Sequence, residues 1–245
     1  MVILGKPYGG LSNRLFQHIH FDSFCRENGV VFHNPFMSDF WRRIPRLLWE
    51  VPRFMPLKFI SEEVDYSKFE RLMLNRSLVF VEGWAYRNKP LARKYRDFYR
   101  QSLYESKPPV DARSVLATDK INIAVHVRRC GDYAVWREGK YVYPDAVYIS
   151  AIEQTLSLMG AKARIAVFTD DRSLNRGAFQ TAFDEVIFPG STPRADHYLM
   201  SHCDYIVGPP STFSMWASYI GQTRYCHIGS PNDVVTRDSF GICQG

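Results

Sequence analysis

The sequence contains no CxxC pair, no run of about 18 apolar residues, no internal repeat and no low-complexity tract. Its five cysteines, Cys25, Cys130, Cys203, Cys226 and Cys243, are scattered and odd in number. That usage argues against a disulfide scaffold or a zinc ribbon and for reduced thiols. Without a bilayer-length run no membrane-spanning helix is expected. The opening MVILGKPYGG lacks the basic, apolar, small-residue order of a signal peptide, so the chain reads as unexported and cytoplasmic. What is present is ordinary globular material. Of 245 residues, 46% are hydrophobic and 23% charged, enough for one large domain or two lobes of roughly 120 residues.

The formal charge of +6 belongs to the first half. Residues 1 to 115 hold 19 basic against 12 acidic side chains, and residues 116 to 245 hold 12 against 13. A basic surplus raises the question of nucleic acid. Here, however, the basic residues run from Trp41 to Arg113 intermixed with acids, so no nucleic-acid partner is expected. An anionic acceptor, an anionic membrane surface and a plain solvated face all fit. Arg42, Arg43, Arg46, Arg53, Arg93, Lys94 and Arg96 sit among Trp41, Trp49, Phe54 and Tyr95, a mixture suited to sugar rings or acidic lipid.

Periodicity organises the chain. Val2–Leu4 reads as a strand, Gly9-Gly10-Leu11-Ser12 as a turn, Asn13 to Asn28 as a helix stopped by Gly29, and Val30 to Phe32 as a second strand. Pro35, Pro45, Pro52 and Pro56 exclude a long helix between 34 and 60, while Ser61–Asn75 and Leu91–Tyr104 are helix candidates ahead of Pro108-Pro109. Beyond that break strands and helices alternate: Ile121–Val127, Pro144–Met159, Arg164–Phe168, Ser173–Phe183, Glu185–Phe188, Ala195–Cys203, Tyr205–Val207, Ser211–Ile220 and Arg224–Ile228. The alternation predicts an α/β fold with a doubly wound C-terminal sheet, and a division into lobes 1–115 and 116–245.

In such sheets ligands bind outside the carboxyl ends of the strands. Three loops there are chemically loaded. His126-Val127-Arg128-Arg129-Cys130-Gly131-Asp132-Tyr133 offers two guanidinium forks for a phosphate, with an ion-paired surface loop as the alternative. Thr169-Asp170-Asp171 offers carboxylates for ribose or the donor edge of guanine; Mg²⁺ or Mn²⁺ binding and simple helix capping remain open. Gly208-Pro209-Pro210-Ser211-Thr212-Phe213-Ser214 places hydroxyls and N–H groups at a helix start, an anion site or an ordinary cap. Gly9-Gly10-Leu11-Ser12-Asn13 is a similar turn in the first lobe.

These segments resemble a known family. Gly9-Gly10-Leu11-Ser12-Asn13-Arg14-Leu15-Phe16-Gln17, His126-Val127-Arg128-Arg129 with Gly131-Asp132-Tyr133, Phe168-Thr169-Asp170-Asp171, and Asp196 to Trp216 occur in the order seen in α-1,2-fucosyltransferases, inverting enzymes of GT-B-like architecture. The resemblance implies two Rossmann-like lobes, a donor site in the C-terminal lobe, an active site in the cleft, and a glycan acceptor on the N-terminal side. It implies GDP-L-fucose as the donor substrate, with no cofactor and no metal. Arg128 would neutralise the leaving diphosphate with support from Arg129. His126 and an aspartate of Asp170-Asp171 would face guanine or ribose; Ser211, Thr212, Phe213 and Ser214 would face phosphate and nucleoside, and Asn13 the diphosphate. Asp132, and after it Glu138, are the candidate general bases. A related transferase using another nucleotide sugar, and a non-catalytic glycan- or nucleotide-binding module, are the competing readings. The sequence departs from the family pattern where Cys130 is inserted after Arg129, where Ser12-Asn13-Arg14 replaces Gly-Asn-Gln, and where Met215-Trp216 replaces Trp-Trp. The chain is also short for the family, so trimmed acceptor loops are expected.

Overall fold

The computed structural model describes residues 1–37, 59–60, 65–75, 78–190 and 192–245. Prolines 45, 52 and 56, the cluster of Arg42, Arg43, Arg46 and Arg53 with Trp41, Trp49 and Phe54, and the start of the 61–75 helix candidate lie outside those residues. Two compact α/β units result, Met1–Arg96 with Gln244–Gly245, and Asp97–Cys243.

In the N-terminal unit four parallel strands, β1 (Val2–Leu4), β2 (Phe32–His33), β3 (Phe59–Ile60) and β4 (Val79–Val81), lie in the order β2-β1-β4-β3. Helix α1 (Leu11–Glu27) crosses from β1 to β2 as the glycine turn and Gly29 predict. Gly9 has φ +57, and a Cβ there would meet the Asn13 amide at 2.1 Å, so only glycine leaves room for Asn13 to fold back over the turn. Gln17, buried in the middle of α1, donates to the carbonyls of Lys6 and Gly83 at 3.1 and 2.8 Å and ties the helix to two loops. Phe21, Phe69 of α2 (Tyr66–Leu74) and Tyr86 form an aromatic knot with centroids 5.0 to 5.9 Å apart. Helix α3 (Lys89–Lys94) ends where Lys94 and the Tyr95 hydroxyl both engage Glu27. Lys94 is therefore already ion-paired within the unit.

The candidate helix Leu91–Tyr104 is three consecutive pieces: α3, α4 (Arg96–Arg100) and a π-helical turn, Gln101–Glu105. The units divide at Arg96/Asp97, earlier than the 115/116 boundary read from the prolines. The reason is packing. Trp216 Nε1 donates to the Tyr104 hydroxyl at 2.9 Å, Arg194 donates to the Leu103 carbonyl at 2.8 Å, and Leu116 is buried with Ala124 and Ile206. A boundary placed from turn residues misses such side-chain anchoring.

The C-terminal sheet comprises β5 (Ile121–Val127), β6 (Ala163–Thr169), β7 (Val186–Ile187), β8 (Tyr205–Gly208), β9 (Arg224–His227) and β10 (Phe240–Gly241). Their order is β10-β9-β8-β5-β6-β7, parallel but for β10. Helix α5 (Ala112–Val115) precedes β5; α6 (Asp145–Met159) and α7 (Arg176–Ala182) follow β5 and β6; α8 (Pro193–Met200) and α9 (Thr212–Gly221) follow β7 and β8. Side chains alternate along β5: Ile123, Val125 and Val127 pack with Tyr148, Ile152 and Phe179 of α6 and α7, and Ala124 packs with Leu199 and Ala217 of α8 and α9. Both faces are covered, which is why the strands read as almost unbroken apolar runs. The order of strands reverses between β5 and β8, the switch point at which such sheets open a crevice.

At that switch point β8 comes unusually close to β5. A Cβ on Gly208 would lie 2.7 Å from the His126 carbonyl oxygen and 3.1 Å from its Cβ. Gly208→Ala must push the strands apart, and a loss of about 1–3 kcal/mol is expected. A lower urea midpoint at unchanged slope would report it, whereas an unchanged midpoint would show that the two strands have slack.

Candidate functional site

The register of β5 on β6, with His126 opposite Phe168 and Val127 opposite Thr169, brings the loop after β5 to the loop after β6. Asp170 is the result. One of its carboxylate oxygens accepts from the Arg129 backbone N–H at 2.9 Å; the other accepts from the Cys130 N–H at 3.1 Å and from the Arg128 guanidinium. Asp171 accepts from Ser173 through both its backbone N–H, at 2.8 Å, and its hydroxyl, at 2.6 Å, and these bonds lower its pKa. Both aspartates thus serve to fasten the strand ends.

The two arginines part company. Arg128 lines a cavity of about 410 Å³ and donates its second Nη to Asp132 at 2.8 Å. Arg129 turns away from that cavity, donating to Asp145 at 2.5 Å and to Asp171 at 3.4 Å, with its guanidinium 5.3 Å from the ring centre of Tyr148. Cys130, the inserted residue, contributes its N–H to Asp170, and the turn continues through Gly131 at φ +63. Asp132 stays on the surface, its side chain 87% exposed.

Across the switch point His126 places Nδ1 3.0 Å from the Ser214 hydroxyl and its ring 5.1 Å from Phe213. Phe213 in turn packs on His197 at 3.8 Å, and the Tyr104 hydroxyl, which accepts from Trp216, lies 3.4 Å from His197 Nδ1. Ser211 caps α9 by accepting from the Phe213 N–H at 3.2 Å. The diproline loop is tied down by the hydroxyls of Tyr133, donating to Pro210 at 2.9 Å, and Tyr225, donating to Pro209.

The cavity is lined by His126, Arg128, Phe168, Thr169, Asp170, Asp171, Asp196 and Phe213 of the residues marked out by sequence, and also by Arg172, Arg176, Phe188 and Pro193. Its size suits a nucleotide-sized ligand. Arg129, Asp132, Glu138, Ser211, Thr212 and Ser214 do not line it. Glu138 sits in an exposed turn with φ +60, and Asn13 belongs to the N-terminal unit, where its Oδ1 is buried without a hydrogen-bond partner among the described residues. Asp196 and Arg176 escape a reading of strand ends because they lie in first helical turns rather than directly after a strand; the proline at the start of α8 is the signal that marks that turn. The Arg176 guanidinium lies 5.0 Å from the Phe188 ring centre, a cation–π pair on the cavity wall.

Burial lowers the pKa of both His126 and His197 to about 3, with Arg128 adding to the effect at the first and His126 at the second. Both imidazoles are neutral at physiological pH. Because the folded values lie below the ordinary 6.5, stability is full above pH 6.5 and falls as pH drops toward 3, by about 1.4 kcal/mol per pH unit for each histidine. In denaturant titrations between about pH 4 and 6, His197→Gln is expected to remove one histidine's share of that slope. An unchanged slope would mean that His197 is already protonated in the folded protein.

Comparison with known proteins places this geometry. Over 117 residues the chain is 32% identical to galactoside 2-alpha-L-fucosyltransferase SEC1 of Bos taurus, covering 42% of this chain and 30% of that protein. The chain thus spans under a third of that relative's length. Among solved structures, a mutant of Arabidopsis thaliana FUT1 in complex with GDP superposes with a TM-score of 0.55 at 13% identity, covering 98% of this chain and 72% of the other. The NodZ alpha-1,6-fucosyltransferase soaked with GDP-fucose gives 0.53 at 14% identity, covering 96% and 97%. At such identities the likeness establishes the GT-B-like fold. The sequence itself matches the family described as Glycosyl transferase family 11 over residues 60–235, which is most of the chain, and the protein belongs to that family.

Proposed function

We propose that the protein transfers L-fucose from GDP-β-L-fucose to a glycan hydroxyl, the 2-OH of a galactoside being the acceptor that its similarity to a galactoside 2-alpha-L-fucosyltransferase favours. The observation that carries the proposal is Arg128: a guanidinium at the switch point, on the wall of a nucleotide-sized cavity, in a family 11 chain. Breaking the bond between fucose C1 and the diphosphate oxygen builds negative charge on the leaving group and oxocarbenium character on the sugar. A preorganised guanidinium stabilises the first of these, typically by a few kcal/mol.

Arg128 is held from two sides of unequal strength. Asp170 is locked by backbone N–H groups and stays; Asp132 is an exposed partner of the kind that contributes about 0–1 kcal/mol. The incoming diphosphate therefore displaces Asp132 from Arg128. The freed carboxylate accepts the proton of the attacking hydroxyl as its oxygen bonds to C1 from the opposite face, giving inversion, an α-L-fucoside and GDP. Guanine would occupy the far wall near Phe188, Arg176 and Asp196, since Asp170 and Asp171 already accept from protein donors. Asp196 brings a carboxylate to that wall, of the kind that reads guanine's paired N–H donors. Because Asp170 and Asp171 are committed to arginines, backbone N–H groups and Ser173, we propose that no metal bridges the diphosphate. Turnover is then expected to persist in excess EDTA.

GDP is expected to raise the melting temperature well above the effect of equimolar UDP, as a native-state ligand does. Equal shifts would redirect the proposal to another nucleotide sugar. Arg128→Lys, which keeps charge but loses the bidentate fork, is expected to lower turnover by orders of magnitude with the fold intact. Asp132→Asn should lower kcat at least a hundredfold while leaving GDP binding equal or slightly tighter, because the variant loses the carboxylate that competes for Arg128. Near-normal turnover in folded Arg128→Lys would overturn the assignment of Arg128; weakened GDP binding by Asp132→Asn would overturn the displacement step.

A further inference from the structure

The segment between Arg129 and α6 has a feature that donor binding does not use. After the helical turn Gly131–Ala134 the chain makes a second turn, Trp136–Gly139, in which Arg137, Glu138 and Gly139 all have left-handed backbones, with φ of 50, 60 and 71. Two non-glycine residues in succession at such angles are rare, and strain of this kind persists only where surrounding structure imposes it. The packing around this turn is aromatic. Tyr133 and Tyr141 are buried, and Trp136 rests on both, with centroids 5.5 and 5.3 Å away. Trp136 nevertheless remains 42% exposed, beside Val135 at 77% and Val142 at 38%. A strained turn thus presents an indole to solvent on a rigid tyrosine bed.

The location gives the ledge its meaning. Tyr133 also lies 5.7 Å from the Arg128 guanidinium, so the ledge continues directly from the residue that would hold the leaving diphosphate. Asp132, the proton acceptor of the proposed reaction, is the residue before Tyr133. The group required next to those two residues is the acceptor. A pyranose ring has an apolar C–H face and a hydroxyl rim. The ledge offers an indole for the apolar face; the Arg137 guanidinium lies over that ring, 5.1 Å from its centre, a contact that a stacked sugar would replace, and the Lys140 ammonium lies 5.4 Å from the ring centre of Tyr141. One indole and two valines are too small for a stable protein interface. Resting on the fucosyl-transfer reading, we infer that Trp136 is the stacking platform for the acceptor's pyranose ring, so that acceptor recognition begins in the C-terminal unit rather than in the basic N-terminal lobe alone.

The test measures wild type, Trp136→Ala and Trp136→Tyr with lactose and methyl β-galactoside, reading acceptor KM, kcat and, separately, GDP affinity. Trp136→Ala is expected to raise acceptor KM at least tenfold with GDP affinity unchanged, and Trp136→Tyr to recover most of the loss. An acceptor KM unchanged in Trp136→Ala overturns the platform while leaving fucosyl transfer standing; so does a parallel loss of GDP affinity, which marks a merely structural role. If wild type transfers fucose to neither sugar, the galactoside as acceptor fails on its own account. Saturation-transfer NMR with the same sugars then decides the platform: a sugar signal seen with wild type and abolished by Trp136→Ala upholds it, and the absence of any signal with wild type overturns it.

Discussion

The carboxylate of Asp170 is the point on which the site depends. It sits at the end of β6, yet the backbone N–H groups of Arg129 and Cys130 and the Arg128 guanidinium, which all donate to it, come from the end of β5. Backbone donors cannot rotate out of reach, so the carboxylate clamps two neighbouring strand ends in one geometry and aims Arg128 along the cavity wall. An arginine on a free loop would lose conformational entropy each time it met a phosphate. Held in this way it is organised before the ligand arrives, the condition under which charge stabilisation serves catalysis. The insertion of Cys130 fits the same clamp, since its N–H is one of the donors.

The side of the cavity lined by His126 and Phe213 is built on different chemistry. His126, Phe213, His197, Tyr104 and Trp216 form a continuous chain of contacts, ring on ring from His126 through Phe213 to His197 and hydrogen-bonded from there through Tyr104 to Trp216. Burial keeps both imidazoles neutral, so they act as shaped donors and acceptors rather than as charges or bases. The same contacts also explain the early division between units. Tyr104 reaches Trp216 and His197 from a π-helical turn, binding residues 97 to 115 to the C-terminal sheet. Polar atoms buried this completely hold their positions only when their partners are in place.

Much of the fold was legible. Alternating apolar runs and glycine stops located β5, α6, β6, β8, α9 and β9 within a few residues, because both faces of a doubly wound sheet must be apolar and the punctuation between its elements is local. The N-terminal half was harder to read. The strand read at Val30 to Phe32 is β2, shifted to Phe32–His33, while β3, only two residues long, and β4 were not anticipated; nor was β10 at the edge of the C-terminal sheet. The candidate site was legible as a set of loops and less so residue by residue. Arg128, His126 and Phe213 do line the cavity, whereas Arg129 and Ser214 lie behind it.

The sequence by itself determined the order of strands and helices from β5 to β9, the strand-end positions at which chemistry collects, and membership of a glycosyltransferase family, since each is written in local pattern and short motifs. Only tertiary structure decided which charged groups meet. Adjacent arginines are equivalent in a sequence; the β5–β6 register puts one beside Asp170 and the cavity and turns the other to Asp145. The Asp170-Asp171 pair, open to ligand in the sequence, lines the cavity while fastened by Arg128, Arg129 and Cys130 some forty residues away and by Ser173 close by, and Asp196 comes to the same cavity on a helix. Register and helix placement arise from packing among segments far apart in sequence, and that information exists only once the chain has folded.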